Sequence, residues 1–217
     1  KDVGNVDTEV SSQTISLEHE FNDNLKYRGA VRHYQYSLDR EYSTDSHPKD
    51  DLSKIKLTQN KRLRDEDGVY VQQELTSLFN TGTVKHNVLI GAEYSHQNKD
   101  EILWQGKSTT TDLYNPQLEY WAPIDTASTK AKNNNSNEYK NFGLYFQDLV
   151  SLNDQVKVLM GLRYDDLSQH RNDLNKNQIV DRTDHTWSPR VGVVYQPVNA
   201  LSLYASYNQS FQPLADA

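Results

Sequence analysis

Residues Tyr139 to Leu152 read Tyr-Lys-Asn-Phe-Gly-Leu-Tyr-Phe-Gln-Asp-Leu-Val-Ser-Leu. After Asn153-Asp154 the chain returns as Gln-Val-Lys-Val-Leu-Met-Gly-Leu-Arg-Tyr, ending at Tyr164. Both arms alternate. Phe142, Leu144, Phe146, Val150 and Leu152 share one parity, while Asn141, Gly143, Tyr145, Gln147 and Ser151 take the other. On the return arm Val156, Val158, Met160 and Leu162 oppose Lys157, Gly161, Arg163 and Asp165. Successive side chains on a strand point to opposite faces, so the pattern predicts two amphipathic strands joined as a hairpin at Asn153-Asp154. An apolar face about 20 Å long with a wet opposite face suits a membrane-spanning barrel strand, but it also occurs in soluble sandwiches. The rest of the chain has to separate the two.

Composition narrows the field. At 217 residues the chain is long enough for one large all-β domain or two small ones. Only 35% of it is hydrophobic, and mean hydropathy is −0.88, below the usual globular share. Fourteen Tyr argue against disorder, which is poor in aromatics, and for strands that each bury one face. No apolar run reaches the ~18 residues of a membrane helix, which leaves barrel strands as the only way to cross. A net charge of −7 argues against nucleic acid as a partner. Without cysteine there are no disulfides and no thiol chemistry. The opening Lys-Asp-Val-Gly has neither Met nor an apolar h-region, so a signal peptide is expected to be missing or removed. Both ends are expected to be cuts through something longer, since strand pattern still runs from Leu203 to Phe211.

Three further hairpins follow the same grammar. Ile15, Leu17, His19 and Phe21 share a parity before Asn22-Asp23-Asn24, whose residues tolerate αL and cap their own backbone. Leu25, Tyr27, Gly29 and Val31 lead away from that turn. Val69 to Phe79 and Val84 to Tyr94 flank Asn80-Thr81-Gly82, where Gly supplies a positive φ. Trp187 to Tyr195 and Leu201 onward are joined through Pro197-Val198-Asn199. Between hairpins lie polar stretches read as loops, at 43–53, 98–137 and 167–183, with Ile55 to Leu63 a polar strand candidate. Short turns thus fall at one end and long polar loops at the other. That sorting belongs to outer-membrane barrels and has no counterpart in soluble sandwiches. The fold class is therefore all-β, an antiparallel up-and-down transmembrane β-barrel. Phe21, Phe79 and Tyr195 near the short turns, and Tyr94 and Tyr164 toward the long loops, suit its two aromatic girdles.

Several blocks carry a resemblance to a known family. Thr81-Gly82-Thr83-Val84-Lys85-His86-Asn87-Val88-Leu89-Ile90-Gly91-Ala92-Glu93-Tyr94 resembles a strand–turn–strand of TonB-dependent outer-membrane siderophore receptors. Leu113-Tyr114-Asn115-Pro116, Gly143-Leu144-Tyr145-Phe146-Gln147-Asp148, Gly161-Leu162-Arg163-Tyr164-Asp165 and Ser206-Tyr207-Asn208-Gln209-Ser210-Phe211-Gln212-Pro213 are similar to further blocks, in the family's order. The set covers roughly residues 70 to 213 and is most similar to the ferrichrome-type hydroxamate branch, although catecholate receptors share several blocks.

The resemblance implies a closed barrel of many more strands, filled by an N-terminal plug. About eight strands fit here, so residues 1–217 are expected to be part of the C-terminal β-barrel domain, with plug and remaining strands outside this chain. A self-closing eight-stranded barrel is the geometric alternative. The implied function is ferric siderophore uptake across the outer membrane of a Gram-negative bacterium, hydroxamate favoured over catecholate, energised by TonB through the absent N-terminal region. A passive porin or adhesin-like barrel is the alternative.

No catalytic motif stands out, neither Gly-x-Ser-x-Gly nor a phosphate-binding Gly loop, and an outer-membrane hydrolase ranks last. Histidines 19, 33, 47, 86, 96, 170 and 185 lack ligand spacing, and His96 with Asp100 and Glu101 reads as a solvated charged face. Neither a resident metal nor a cofactor is expected. Glu93, Arg163 and Arg190 on polar faces are expected to line the lumen. A shielded iron chelate calls for aromatic surface and hydrogen-bond donors rather than iron ligands. By resemblance Trp104 falls where hydroxamate receptors carry an aromatic pair at the top of a strand, with Gln105 replacing the second aromatic. Tyr42 lies near that branch's tyrosines, and Tyr114 belongs to the Leu-Tyr-Asn-Pro block. Tyr120 and Trp121 are aromatics in a long outer loop. These five are the candidate ligand contacts.

Overall fold

The computed structural model describes residues 4–48, 51–117, 120–198 and 200–210. They form eight strands and, among the described residues, no helix: β1 Asn5–Asn22, β2 Leu25–Ser46, β3 Lys54–Thr81, β4 Val84–Asp112, β5 Asn133–Ser151, β6 Val156–Asp173, β7 Gln178–Val198 and β8 Leu201–Asn208. Each strand pairs antiparallel with its chain neighbours in one sheet ordered β1 to β8. β1 and β8 do not pair, so the sheet is an open up-and-down wall. Asn199 of the last turn, and Phe211 to Pro213 of the final block, lie outside the described residues.

The lower turns are tight, and their side chains explain why. Asp23-Asn24 is a two-residue connection in which the Asn22 side chain accepts the Asn24 amide at 2.9 Å. Neither residue uses the left-handed region expected of them; the Asx contact suffices. Gly82, at φ +66°, opens the Gly82-Thr83 turn, where a side chain would be strained. Asn153 Oδ1 caps the third turn, accepting the amides of Gln155 and Val156 at 2.9 Å each.

The upper half departs from the sequence reading. The stretches 98–137 and 167–183, expected as loops, are largely strand, leaving connections at 113–132 and 174–177. The 43–53 loop shrinks to 47–53, and Ile55 to Leu63 continues β3 without a break. β3 runs 28 residues and β4 29, far beyond the ~9–11 that cross a bilayer. The physical reason is that both faces of a wall standing above the membrane are wet. The side-chain pattern loses its contrast there, while the backbone ladder stays satisfied. Long upper connections therefore hold at 113–132 and in part at 47–53, but β6 and β7 meet in a tight turn.

In the lower half the parity reading holds. One face carries Ile90, Leu144, Phe146 and Met160, all close to half exposed, in cross-strand contact along the sheet. These side chains do not meet across a protein interior. Their exposed surface is covered by lipid in a membrane barrel. Tyr94 pairs with Phe142, and Tyr164 lies 4.9 Å from Trp187, forming the upper aromatic belt. Phe79 stacks on His86 at 4.9 Å near the lower turns. Two polar pairs sit on this face: His86 Nδ1 lies 2.7 Å from Asp148 Oδ2, and the Tyr27 hydroxyl donates to Gln73.

Candidate functional site

The other parity lines the concave face, where the sheet forms two troughs. The lower one, about 540 Å³, lies at the level of the apolar band and contains Gln72, Glu74, Glu93, Tyr145, Arg163 and Arg190. Tyr145 lies across Gly91 of the neighbouring strand. Its hydroxyl reaches over β4 to donate to Glu74 Oε1 at 2.8 Å and accepts from Gln72 Nε2 at 3.1 Å. Arg163 Nη2 meets Glu93 Oε2 and Asp165 Oδ1, each at 2.8 Å, and its guanidinium carbon stands 5.5 Å from the Tyr145 ring centroid. The result ties β3, β4, β5 and β6 together on the inner side. The lumen-lining expectation for Glu93, Arg163 and Arg190 matches their place here.

The upper trough, about 770 Å³, lies beyond the aromatic belt and spans β2 to β7. Tyr34, Tyr70 and Tyr139 supply aromatic surface, and Asn135, Asn137 and Gln169 supply donors and acceptors. Of its charged lining, Arg64, Lys99, Arg171 and Arg182 face Glu101. Glu66 holds Arg64, and Asp184 holds Arg182 at 2.7 Å. Lys99 is opposite Glu66 in register, but neither it nor Arg171 has an acidic partner within 4.0 Å among the described residues. Burial, with the carboxylates of Glu66 and Asp67 nearby, raises the Tyr34 hydroxyl above the ordinary phenol range, so it stays a donor.

The opposite face of this upper wall has the other sign. Asp39, Asp65, Asp67, Asp100, Glu138 and Asp181 alternate outward along β2 to β7. There Lys140 and His96 both reach Glu138 Oε1 at 2.7 Å, and Lys140, the larger influence, holds that carboxyl below the usual range. The protein is acidic overall, yet its upper concave lining is basic.

The candidate ligand aromatics are dispersed. Tyr42 lies on the inward parity of β2, with Arg40 4.4 Å and Arg62 6.0 Å from its ring centroid. It pairs in register with Asn60, which is 2% exposed and fully engaged. Asn60 Nδ2 donates to Thr44 Oγ1 and to Thr58 O at 2.9 Å, and Asn60 Oδ1 accepts from Gln105 at 3.1 Å. That hub sits at the β3–β4 bulge. Trp104 is on the outward parity of β4 and is 9% exposed, beside buried Leu103. The 113–132 connection folds back here, through Lys132 N to Leu103 O at 2.7 Å and Gln59 Nε2 to Ala122 O at 2.8 Å. Tyr114 and Tyr120 stand free, at least 80% exposed, and Trp121 is half-buried.

None of the five lines the upper trough. Tyr34, Tyr139, Lys99 and Arg171, which do, escaped sequence reasoning. Counting up from the Gly82 turn in strict register would have placed Lys99 on the Glu93 face. Counting up from the Asn153-Asp154 turn would likewise have placed Arg171 on the Arg163 face, since β5 and β6 pair without a register shift. No group of three His, Asp or Glu converges among the described residues.

Comparison with known proteins bears on what such a wall belongs to. Residues 1–217 match the family model described as TonB dependent receptor-like, beta-barrel. The chain is 25% identical over 225 residues to the metal-pseudopaline receptor of Pseudomonas aeruginosa, covering 98% of this chain and 31% of that protein. It is 27% identical to the ferrichrome outer membrane transporter/phage receptor of Escherichia coli K12, covering 91% of this chain and 29% of that one. The solved siderophore receptor PiuA of Acinetobacter baumannii superposes with a TM-score of 0.81 at 20% identity, over 93% of this chain and 32% of that chain. The chain thus spans about a third of the length of these relatives.

Proposed function

Because the chain belongs to the TonB-dependent receptor family, whose β-barrels stand in the Gram-negative outer membrane, we propose that residues 1–217 are a section of the C-terminal barrel of a ferric siderophore transporter. TonB would supply the energy through a region outside these residues, where a plug domain would also lie. Siderophore recognition would take place in the upper concave trough. The observation that carries this reading is the stacking of environments along one wall: an apolar outer band below, and above it an inward trough of tyrosines, amides and cations. A shielded ferric chelate needs that kind of surface rather than iron ligands. The hydroxamate preference is supported by the quoted sequence blocks and by likeness to the E. coli ferrichrome transporter.

Two contact modes are proposed for the aromatics. Tyr42, stacked by Arg40, would present a rigid inward face at the upper end of β2. Trp104 would anchor the 113–132 connection, with Tyr114, Tyr120 and Trp121 offering aromatic edges from it. The experiment is uptake of ⁵⁵Fe-labelled hydroxamate by cells carrying the full-length receptor. Tyr42→Ala and Trp104→Ala should each lower uptake at limiting chelate. Wild-type uptake in both variants would remove these residues from the site. A passive porin, by contrast, would conduct ions in a planar bilayer with no chelate present.

A further inference from the structure

The sign of the charge on the two faces of the upper wall carries an inference beyond siderophore uptake as such. Strand alternation puts every second residue inward, and above the aromatic belt the inward parity holds the surplus of cations and the outward parity the surplus of carboxylates. Acidic side chains project outward, as at Asp65, Asp67 and Asp100, while Arg64, Lys99 and Arg171 enter the 770 Å³ trough. In a chain of net charge −7 a basic concavity is not a by-product of composition.

Within the trough the cations are unequally engaged. Arg64 and Arg182 have carboxylate partners. Lys99 has Glu66 across from it in register, but that carboxylate is taken by Arg64. Arg171 has neutral register neighbours, Asn137 on β5 and Val180 on β7. Charges focused in a low-dielectric concavity attract counter-ions more strongly than the same charges on a convex surface. Two uncommitted cations on opposite sides of Asn137, with the Tyr34 and Tyr139 side chains along the same trough, suit a flat, negatively charged guest.

We infer that the upper trough takes ferric chelates of net negative charge, with carboxylate groups directed at Lys99 and Arg171, in preference to neutral ferric trihydroxamates. The inference rests on the siderophore reading above and narrows it to a carboxylate-bearing class, within which a citrate-based hydroxamate satisfies both the charge and the sequence resemblance.

The test uses the purified full-length receptor in detergent and two probes: the ferric complex of a citrate-based dihydroxamate, which is anionic, and ferrichrome, which is neutral. Affinity is read by quenching of intrinsic fluorescence at two ionic strengths. The anionic chelate should bind at least ~10-fold more tightly and weaken as salt rises. Lys99→Glu and Arg171→Glu should each cost it ~10-fold and cost ferrichrome, which has no net charge to repel, several-fold less. Lys99→Met and Arg171→Gln, which remove charge without reversing it, should give intermediate losses, and mobility on unheated gels shows that each variant is folded. Tight ferrichrome binding with no effect of salt or of either reversal would overturn the charge selection and leave siderophore uptake standing. Failure of every ferric chelate to bind the folded receptor would remove both.

Discussion

Tyr145 on β5 and Gly91 on β4 are register partners, and the phenol ring occupies the space that a side chain at 91 would fill. This flat packing lets one tyrosine cross a strand and reach Glu74 on β3 at 2.8 Å. Gly91→Ala should therefore displace the ring and break the contact, destabilising the barrel by about 1–3 kcal/mol. Gly161→Ala is the matched control, because a Cβ there meets nothing nearer than 3.4 Å. Urea titrations of the full-length receptor in vesicles compare the two. Equal midpoints would show that Tyr145 does not depend on a bare backbone at 91.

Arg163 is the other hinge of the lower trough. It serves Glu93 and Asp165 at once, at 2.8 Å each, with both carboxylates largely shielded from solvent. Arg163→Met leaves two acceptors facing each other across an apolar stub and should cost about 2 kcal/mol. Adding Glu93→Gln should recover part of that loss by removing one of the stranded charges. If the double variant is no more stable than the single one in the same urea assay, the carboxylates are not coupled through Arg163.

How much of this was legible depends on where the bilayer sits. Between the lower turns and the aromatic belt, lipid on one side and water on the other force a two-residue period. Phe142, Leu144, Val158 and Met160 declared their side without coordinates. Above the belt both sides are wet. Lys99, Tyr139 and Arg171 then fall in stretches whose alternation is one of charge sign rather than polarity, which a hydrophobicity pattern cannot register. Trp104 shows a different limit. Its resemblance-based role followed from its place at the top of a strand, and counting up from the Gly82 turn gives its outward parity, whereas its burial beside the returning 113–132 connection is a tertiary contact that no strand period encodes.

The outer face should be sensitive to charge in a way the inner face is not. Ile90 and Leu144 lie mid-band on the outer parity, whereas Gln147 lies on the inner parity at the lower trough. Ile90→Arg or Leu144→Arg should cost about 2–4 kcal/mol on folding into vesicles. Gln147→Arg, bordering Glu74 and Glu93 in the same trough, should fold with near wild-type stability. The reverse ranking would mean that the faces are assigned to the wrong solvents.

Asp51 offers a pH readout outside the membrane. Its Oδ1 accepts the Ser53 hydroxyl at 2.5 Å and the Ser53 amide at 3.0 Å, and Lys54 Nζ lies 3.0 Å from Oδ2. The Ser53 hydroxyl, then Lys54, hold its pKa down at about 2. Because the folded value is depressed, the turn's contribution is fully present above the ordinary carboxylate value of 3.8 and is lost as pH falls through about 2. The carboxyl ¹³C shift of selectively labelled Asp51 should titrate there. Ser53→Ala should move the midpoint up by more than Lys54→Met does, since the hydroxyl is the larger influence. A wild-type midpoint near 3.8 would show that the 47–53 connection does not hold this turn in solution.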